Sequence, residues 1–289
     1  MASVTDLASA TAGWAPEPTT TTGTTTAWTV AAVSGLFGLD PVAAEADPLP
    51  PMWHWFGFLA HPRQDELGDD GHPAAGHFLP RIPDRRRMIA GGRLRMASPM
   101  RVGESLTRHS SLIRADVKHG RSGEMLLVTV RDEYARDDGD VLVTEESDIV
   151  YRSQTPGQAR GIGYPEAASS DEPSAEAVVL VPDATLLFRF SALTYNTHRI
   201  HYDEPYVTGV EGYPGLVVHG PLLALVLLEI PRRHRPDRSV TAFDYRLSRP
   251  AFAGSRLVAD HDGEPSGDEL AVTAGVPGAP SISGTIRLG

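Results

Sequence analysis

"GPLLALVLLEI", Gly220 to Ile230, decides the fold. Every position from Leu222 to Leu228 is leucine, valine or alanine. A half-exposed helix carries polar side chains along one face. This stretch carries none for nearly two turns, so it must be covered on every side. Gly220 and Pro221 suit its start, because proline fits the first helical turn. A short helix buried all round needs a sheet curled about it. That arrangement is a hotdog, an antiparallel sheet wrapped around one central helix.

Composition allows a core of that kind. The chain has 289 residues, room for one large domain or two ordinary ones, and 41% of them are hydrophobic. The 24 prolines and 28 glycines predict many turns. A net charge of −11 argues against nucleic-acid binding and gives no attraction to an anionic membrane. No apolar run reaches the ~18 residues needed to span a bilayer. The N-terminus lacks a basic segment followed by an apolar one, so no signal peptide is expected. Cysteine is absent, which excludes disulfides, thiolate catalysis and cysteine-held metals, and fits a cytoplasmic location.

Upstream, "TTTTGTTTAW" (19–28) reads as a strand or a flexible leader, and a short helix is expected around "VAAVSGLFGLD". "DPLPPMWHWFGFLA" (47–60) reads as a helix entered through its prolines. "HPRQDELGDDGHPAAGHFLPRIPD" (61–84) reads as a long loop. The arginine run "RIPDRRRMIAGGRL" is expected to be a solvated basic loop, or else a contact for phosphate or carboxylate. From about residue 93 the pattern turns strand-like: Leu126, Val128 and Val130 alternate with Leu127, Thr129 and Arg131. "HGRSGE" and "RDDGD" supply hairpin turns. "QTPGQARGIGYPEAASSDEPSAEA" (154–177) changes composition sharply and marks a connection. The expected organisation is therefore 1–155, a linker over 156–177, and 178–289. The second half repeats the plan with strand-like "VVLVPDATLLFRF", the buried helix, then "VTAFDYRLSRP" and "SISGTIRLG". The fold class is α+β, with a hotdog in each half.

Between the strand-like run and the buried helix lies "SALTYNTHRIHYDEPY" (191–206), crowded with polar groups. With "GYPGLVVHGPLLALVLLE" it resembles the hydratase motif of MaoC-like (R)-specific enoyl-CoA hydratases. It is closest to the branch holding type 2 hydroxyacyl-thioester dehydratases and the mesaconyl-C4-CoA and itaconyl-CoA hydratases. "DPLPPMWHWFGFL", "GHFLPRIPDRRRMIAGGRL", "GRSGEMLLVTVRDEY" and "VTEESDIVYRS" stand in the order of that branch. The resemblance covers roughly residues 47–249. It implies a double hotdog with a complete catalytic set only in the second half, the first half walling an acyl tunnel. The wider motif is Asp-x-Asn-Pro-aliphatic-His. On "NTHRIH" it places the catalytic histidine at His201 and the aspartate at Asn196, with His198 and Arg199 at the asparagine and proline. Asn196 departs from the wider motif, since an amide exchanges no proton at neutral pH.

The chemistry of water addition to an unsaturated thioester calls for these residue types. A base must activate water, and histidine suits it with a pKa near ~6.5. The enolate oxygen needs a donor, which the Gly220 N–H offers at a helix N-terminus. Asn196 either holds the water, by accepting or donating, or caps a turn. Asp203 is the nearest carboxylate to orient His201, or it caps a helix. His198 and Arg199 are expected in loop packing or substrate contact, and His219 in ordering the helix entry. Arg87, Arg93 and Arg199 are candidates to meet a substrate carboxylate. No spacing demands a metal, and neither a phosphate loop nor a "GxSxG" elbow occurs. No cofactor is expected, coenzyme A being part of the substrate. The expected partner is an acyl-CoA or acyl-carrier-protein thioester, with no nucleic acid or membrane and with a homodimer as the candidate assembly. A thioesterase or a non-hydrating thioester binder on the same scaffold is the alternative class.

Overall fold

The computed structural model describes residues 6–80, 82, 85–120, 123–153, 162–166, 172–262 and 267–289. In chain order come α1 (Leu7–Ala10), β1 (Thr19–Thr24), α2 (Ala27–Leu36), β2 (Arg85–Met96), β3 (Ser105–Gly120), β4 (Gly123–Ala135) and β5 (Val141–Ser153). Then follow β6 (Val178–Leu180), α3 (Ala184–Thr194), α4 (Glu204–Gly209), α5 (Gly220–His234), β7 (Val240–Leu247), β8 (Leu257–Asp262), β9 (Glu269–Val276) and β10 (Ala279–Leu288). The strands form one sheet in the order β1-β3-β4-β5-β2-β7-β10-β9-β8-β6. The seam between the halves is antiparallel β2–β7, from Gly91 opposite Arg246 to Arg95 opposite Ala242. Glycine is required there: a side chain at Gly92 would meet the Tyr245 hydroxyl at 2.7 Å. Five strands on each side of that seam, with α5 enclosed by the second set, make a double hotdog.

The helix α5 is buried from Leu222 through Pro231 and touches β6 through β10. Each such leucine removed from water is worth roughly 1.5–3 kcal/mol. Its one buried charge, Glu229, is satisfied within the helix by Arg232 and Arg233 at 2.5 and 3.0 Å. In the first half α2 contributes Val30, Val33 and Leu36 to the same core, and it packs against α3. Thr26 caps it, its hydroxyl accepting from the Thr29 N–H.

Several expectations are corrected. "PPMWHWFGFL" forms no α-helix but a single 3-10 turn, Trp53–Phe56, entered through Met52 at φ 67. That turn is fixed by His54 and Trp55, both bonded to the Glu145 carboxylate of β5. "VVLVPDATLLFRF" is a strand only to Leu180. Pro182 breaks it, and Asp183 starts α3 by accepting from the Leu186 N–H at 2.7 Å. The arginine run is no loop from Arg85 onward: it is β2, at the centre of the sheet. Of its two readings the threonine run takes the strand, as the edge strand β1 paired with β3. Residues 154–161 and 167–171 lie outside the described residues, and with them half of the expected linker.

Candidate functional site

α3 ends at Thr194, and Tyr195 reverses the chain in a left-handed conformation, φ 51. Asn196 then turns the backbone: its Oδ1 accepts from the His198 N–H at 3.0 Å. A backbone N–H can only donate, so the oxygen of the amide is fixed on that side and its NH2 group has no partner among the described residues. One 3-10 turn, Arg199–His201, follows. The Val217 N–H donates to the Ile200 carbonyl at 2.9 Å, which locks that turn against the approach to α5.

His201 is 7% exposed. Its Nδ1 lies 2.7 Å from the Val217 carbonyl oxygen. A carbonyl only accepts, so Nδ1 carries the proton and Nε2 presents a lone pair. Burial lowers its pKa to about 4, partly opposed by the Val217 bond. The ring is therefore neutral at physiological pH and ready to accept a proton. His219 stacks on it, centroids 3.6 Å apart and planes at 19°. His219 Nε2 sits 2.9 Å from the Ser191 hydroxyl of α3. Burial holds the His219 pKa well below its usual value. Gly220 opens α5, so its N–H is among the donors that the helix leaves unpaired. A Cβ at Gly220 would meet Leu247 Cδ1 at 2.6 Å. Any larger residue there would have to push the Leu247 side chain of β7 aside.

The first half also enters the site. His72 stacks on His198 at 3.8 Å, and His198 stands edge-on to His201 at 5.5 Å. Asp70 holds His72 twice, accepting from its backbone N–H at 2.9 Å and contacting Nδ1 at 3.3 Å. This loop is clamped to residues 197–199. The Arg199 N–H donates to the Asp70 carbonyl at 2.8 Å, the Thr197 hydroxyl to the Gly71 carbonyl at 2.5 Å, and Arg199 Nη1 to the Asp69 carbonyl at 3.0 Å. Gly71 has φ +82, and any side chain there would run into the Thr197 carbonyl. Burial, then the neighbouring His72, drives the His198 pKa far below the ordinary histidine value.

The other expected residues divide sharply. Asp203 does not orient His201. It caps α4 by accepting from the Tyr206 N–H at 3.0 Å and pairs with Arg199 at 2.8 Å. Arg199 is spent on that pair and lies over the Tyr206 ring at 4.0 Å. Arg93 is held by Glu146 and Asp148, both at 2.8 Å, and is unavailable to a ligand carboxylate. Arg87 makes a long contact, 3.4 Å to the Pro73 carbonyl, lies beside the Tyr151 hydroxyl, and has no carboxylate partner within 4 Å among the described residues. Its charge is felt by Asp70, His72 and His198. Asp70, His72 and Ser191 escaped the sequence reading. The only signal for the first two was "DDGHP", a glycine between an acid and a histidine in a loop.

Among the described residues, ligand atoms of Asp70, His72 and His198 lie within 4.8 Å of one another. The donor types would suit a metal. The geometry does not: the His72 and His198 rings are tilted by only 31° in a stack, so their in-plane lone pairs run side by side instead of converging. Arg87 adds a positive charge against a cation.

A family model, hydroxyacyl-thioester dehydratase type 2, matches residues 52–253. The chain is 44% identical over 248 residues to the mesaconyl-C(4)-CoA hydratase of Chloroflexus aurantiacus, covering 84% of each. It is 26% identical over 238 residues to the mitochondrial hydroxyacyl-thioester dehydratase type 2 of Schizosaccharomyces pombe, covering 74% of this chain and 78% of that one. Among solved structures, a MaoC-like dehydratase from Phytophthora capsici superposes with a TM-score of 0.68 at 16% identity, covering 95% of this chain and 96% of that one. Among the described residues, no helix is long and apolar enough to cross a membrane.

Proposed function

The chain belongs to the hydroxyacyl-thioester dehydratase type 2 family, and from that premise we propose which groups do its chemistry and which substrate it takes. It is a hydro-lyase that adds or removes water across the α,β-double bond of an acyl-CoA thioester. The observation that carries the assignment of roles is His201: buried, neutral, with Nδ1 tied to the Val217 carbonyl and Nε2 left as a lone pair. In the hydration direction Nε2 takes a proton from water as the water oxygen bonds to Cβ. The π-electrons move through Cα onto the thioester oxygen, where the Gly220 N–H stabilises the enolate. His201 then returns the proton to Cα, so the ring ends as it began. The NH2 end of Asn196 donates to a lone pair of the water oxygen. No cofactor enters this scheme, because coenzyme A is carried by the substrate.

The substrate we propose is a short dicarboxylic enoyl-CoA, such as the mesaconyl-C4-CoA named for the 44% identical relative. A second carboxylate needs a paired cation when buried. Arg87 is the candidate with no carboxylate partner among the described residues, whereas Arg93 and Arg199 are already paired. A hotdog boundary in the 154–177 connection, a cytoplasmic location and assembly into a homodimer belong to the same proposal. The test is incubation with mesaconyl-C4-CoA, crotonyl-CoA and a 3-hydroxyacyl carrier protein, following the absorbance of the conjugated thioester. Hydration of mesaconyl-C4-CoA ahead of crotonyl-CoA is expected. Turnover of the carrier-protein substrate alone would replace the CoA reading, and release of free thiol would mark a thioesterase.

A further inference from the structure

We propose that His198 is a second water-holding residue of this site, and that the Asp70–His72 pair contributed by the first half positions it. The inference rests on the hydratase reading and adds to it a residue and a second-half-to-first-half dependence. An attacking water has two hydrogens and two lone pairs to direct. One hydrogen goes to His201 Nε2. One lone pair attacks Cβ, and the other accepts from the Asn196 amide. The remaining hydrogen needs an acceptor. In the wider motif an aspartate stands at position 196. Here the amide oxygen already accepts from the His198 N–H and holds the turn. His198 itself fills the gap. Its ring stands at 90° to His201 with centroids 5.5 Å apart, and neither of its ring nitrogens has a hydrogen-bond partner among the described residues. A neutral imidazole keeps one bare nitrogen, and burial among His72, His201 and Arg87 keeps this one neutral.

The two working rings are supported alike. His201 rests on His219, which Ser191 ties at 2.9 Å. His198 rests on His72, which Asp70 ties twice. Each working imidazole is thus pressed against a second imidazole that is itself anchored to an oxygen. The support for His198 comes from a loop more than a hundred residues earlier, and three hydrogen bonds from 197 and 199 hold that loop in place. His72 acts through His198 and is a positioning residue.

The experiment compares steady-state kinetics of folded variants, verified by circular dichroism and thermal melting. His198→Phe keeps the ring and the stack but removes both nitrogens. Its kcat is expected to fall by about 10²-fold with KM within about threefold. His198→Gln, which returns an acceptor oxygen, is expected to recover about tenfold of that loss. His72→Ala is expected to lose about tenfold in kcat, and His72→Phe, which keeps the stacking face, to recover most of it. A folded His198→Phe within about twofold of the parent kcat, or one changed only in KM, overturns the proposal. Equal losses in His72→Ala and His72→Phe overturn the positioning role. If His198→Phe does not fold, His198→Leu takes its place with the same outcomes. Should the parent turn over no enoyl-CoA, the hydratase reading itself fails; should the parent turn over and His201→Ala not, a normal His198→Phe sinks this inference alone.

Discussion

His201 works as a base because burial keeps it neutral, and that gives its pH dependence a definite sign. With its pKa lowered to about 4, the lone pair on Nε2 persists well below the usual histidine range. The acid limb of kcat/KM is expected near pH 4, where an exposed histidine would place it near ~6.5. A limb near 6.5 in the parent would show that the ring is solvated in the free enzyme. His201→Ala is expected to cost at least ~10²-fold in kcat. Arg87→Met is expected to raise KM for mesaconyl-C4-CoA by tenfold or more on the order of a lost charge-assisted bond, while crotonyl-CoA kinetics hold. Equal effects on both substrates would remove Arg87 from carboxylate recognition. At this scale neighbours within one six-residue segment are the legible part: Asn196 bonds the His198 N–H, and His198 stands edge-on to His201. For Asp203 the cap reading is the one the structure bears out: the chain enters α4 there and its carboxylate accepts from the Tyr206 N–H. The sequence was silent for Asp70 and His72, whose partners lie more than a hundred residues away and whose loop has no periodicity to read.

Among the elements, α5 was legible from composition alone, since no arrangement but enclosure suits seven consecutive apolar residues. α3 was not, because a short apolar run fits a buried strand as well as a helix until its cap is seen. β2 was masked by its arginines, which the sheet accommodates by pairing them across strands: Arg93 with Glu146 and Asp148, Arg95 with Asp244. The loop from Asp69 to His72 behaves as an element in its own right, fixed by backbone contacts. Gly71→Ala tests that fixation. An alanine must adopt φ near +82 and displace the Thr197 carbonyl. The expected cost is about 1–3 kcal/mol of stability, read by urea unfolding, together with a fall in kcat. Unchanged stability would mean that the loop is not held where the contacts place it.

At the scale of the molecule, two buried imidazoles and two half-buried ones make stability sensitive to mild acid. His72, His198, His201 and His219 all have pKa values lowered by burial. Below pH ~6.5 the unfolded chain takes up protons that the folded chain refuses, so folding free energy falls as pH falls. For His201 the loss runs from about 6.5 down to about 4, at about 1.4 kcal/mol per pH unit. Urea unfolding at pH 7, 6 and 5 is expected to show a steady drop in midpoint, and a flat profile would contradict neutral burial. The seam at β2–β7 has a different kind of consequence. Because five residue pairs of that ladder join the halves within one chain, their ratio is fixed at one to one and neither can exchange its companion for another copy. Selection on such a tandem acts on the pair as a single heritable unit. One half is then free to drift except in the ladder, the shared core, Arg87 and the loop it lends to its sibling, so relatives should differ most across the rest of that half and least at Gly91, Gly92 and Gly71.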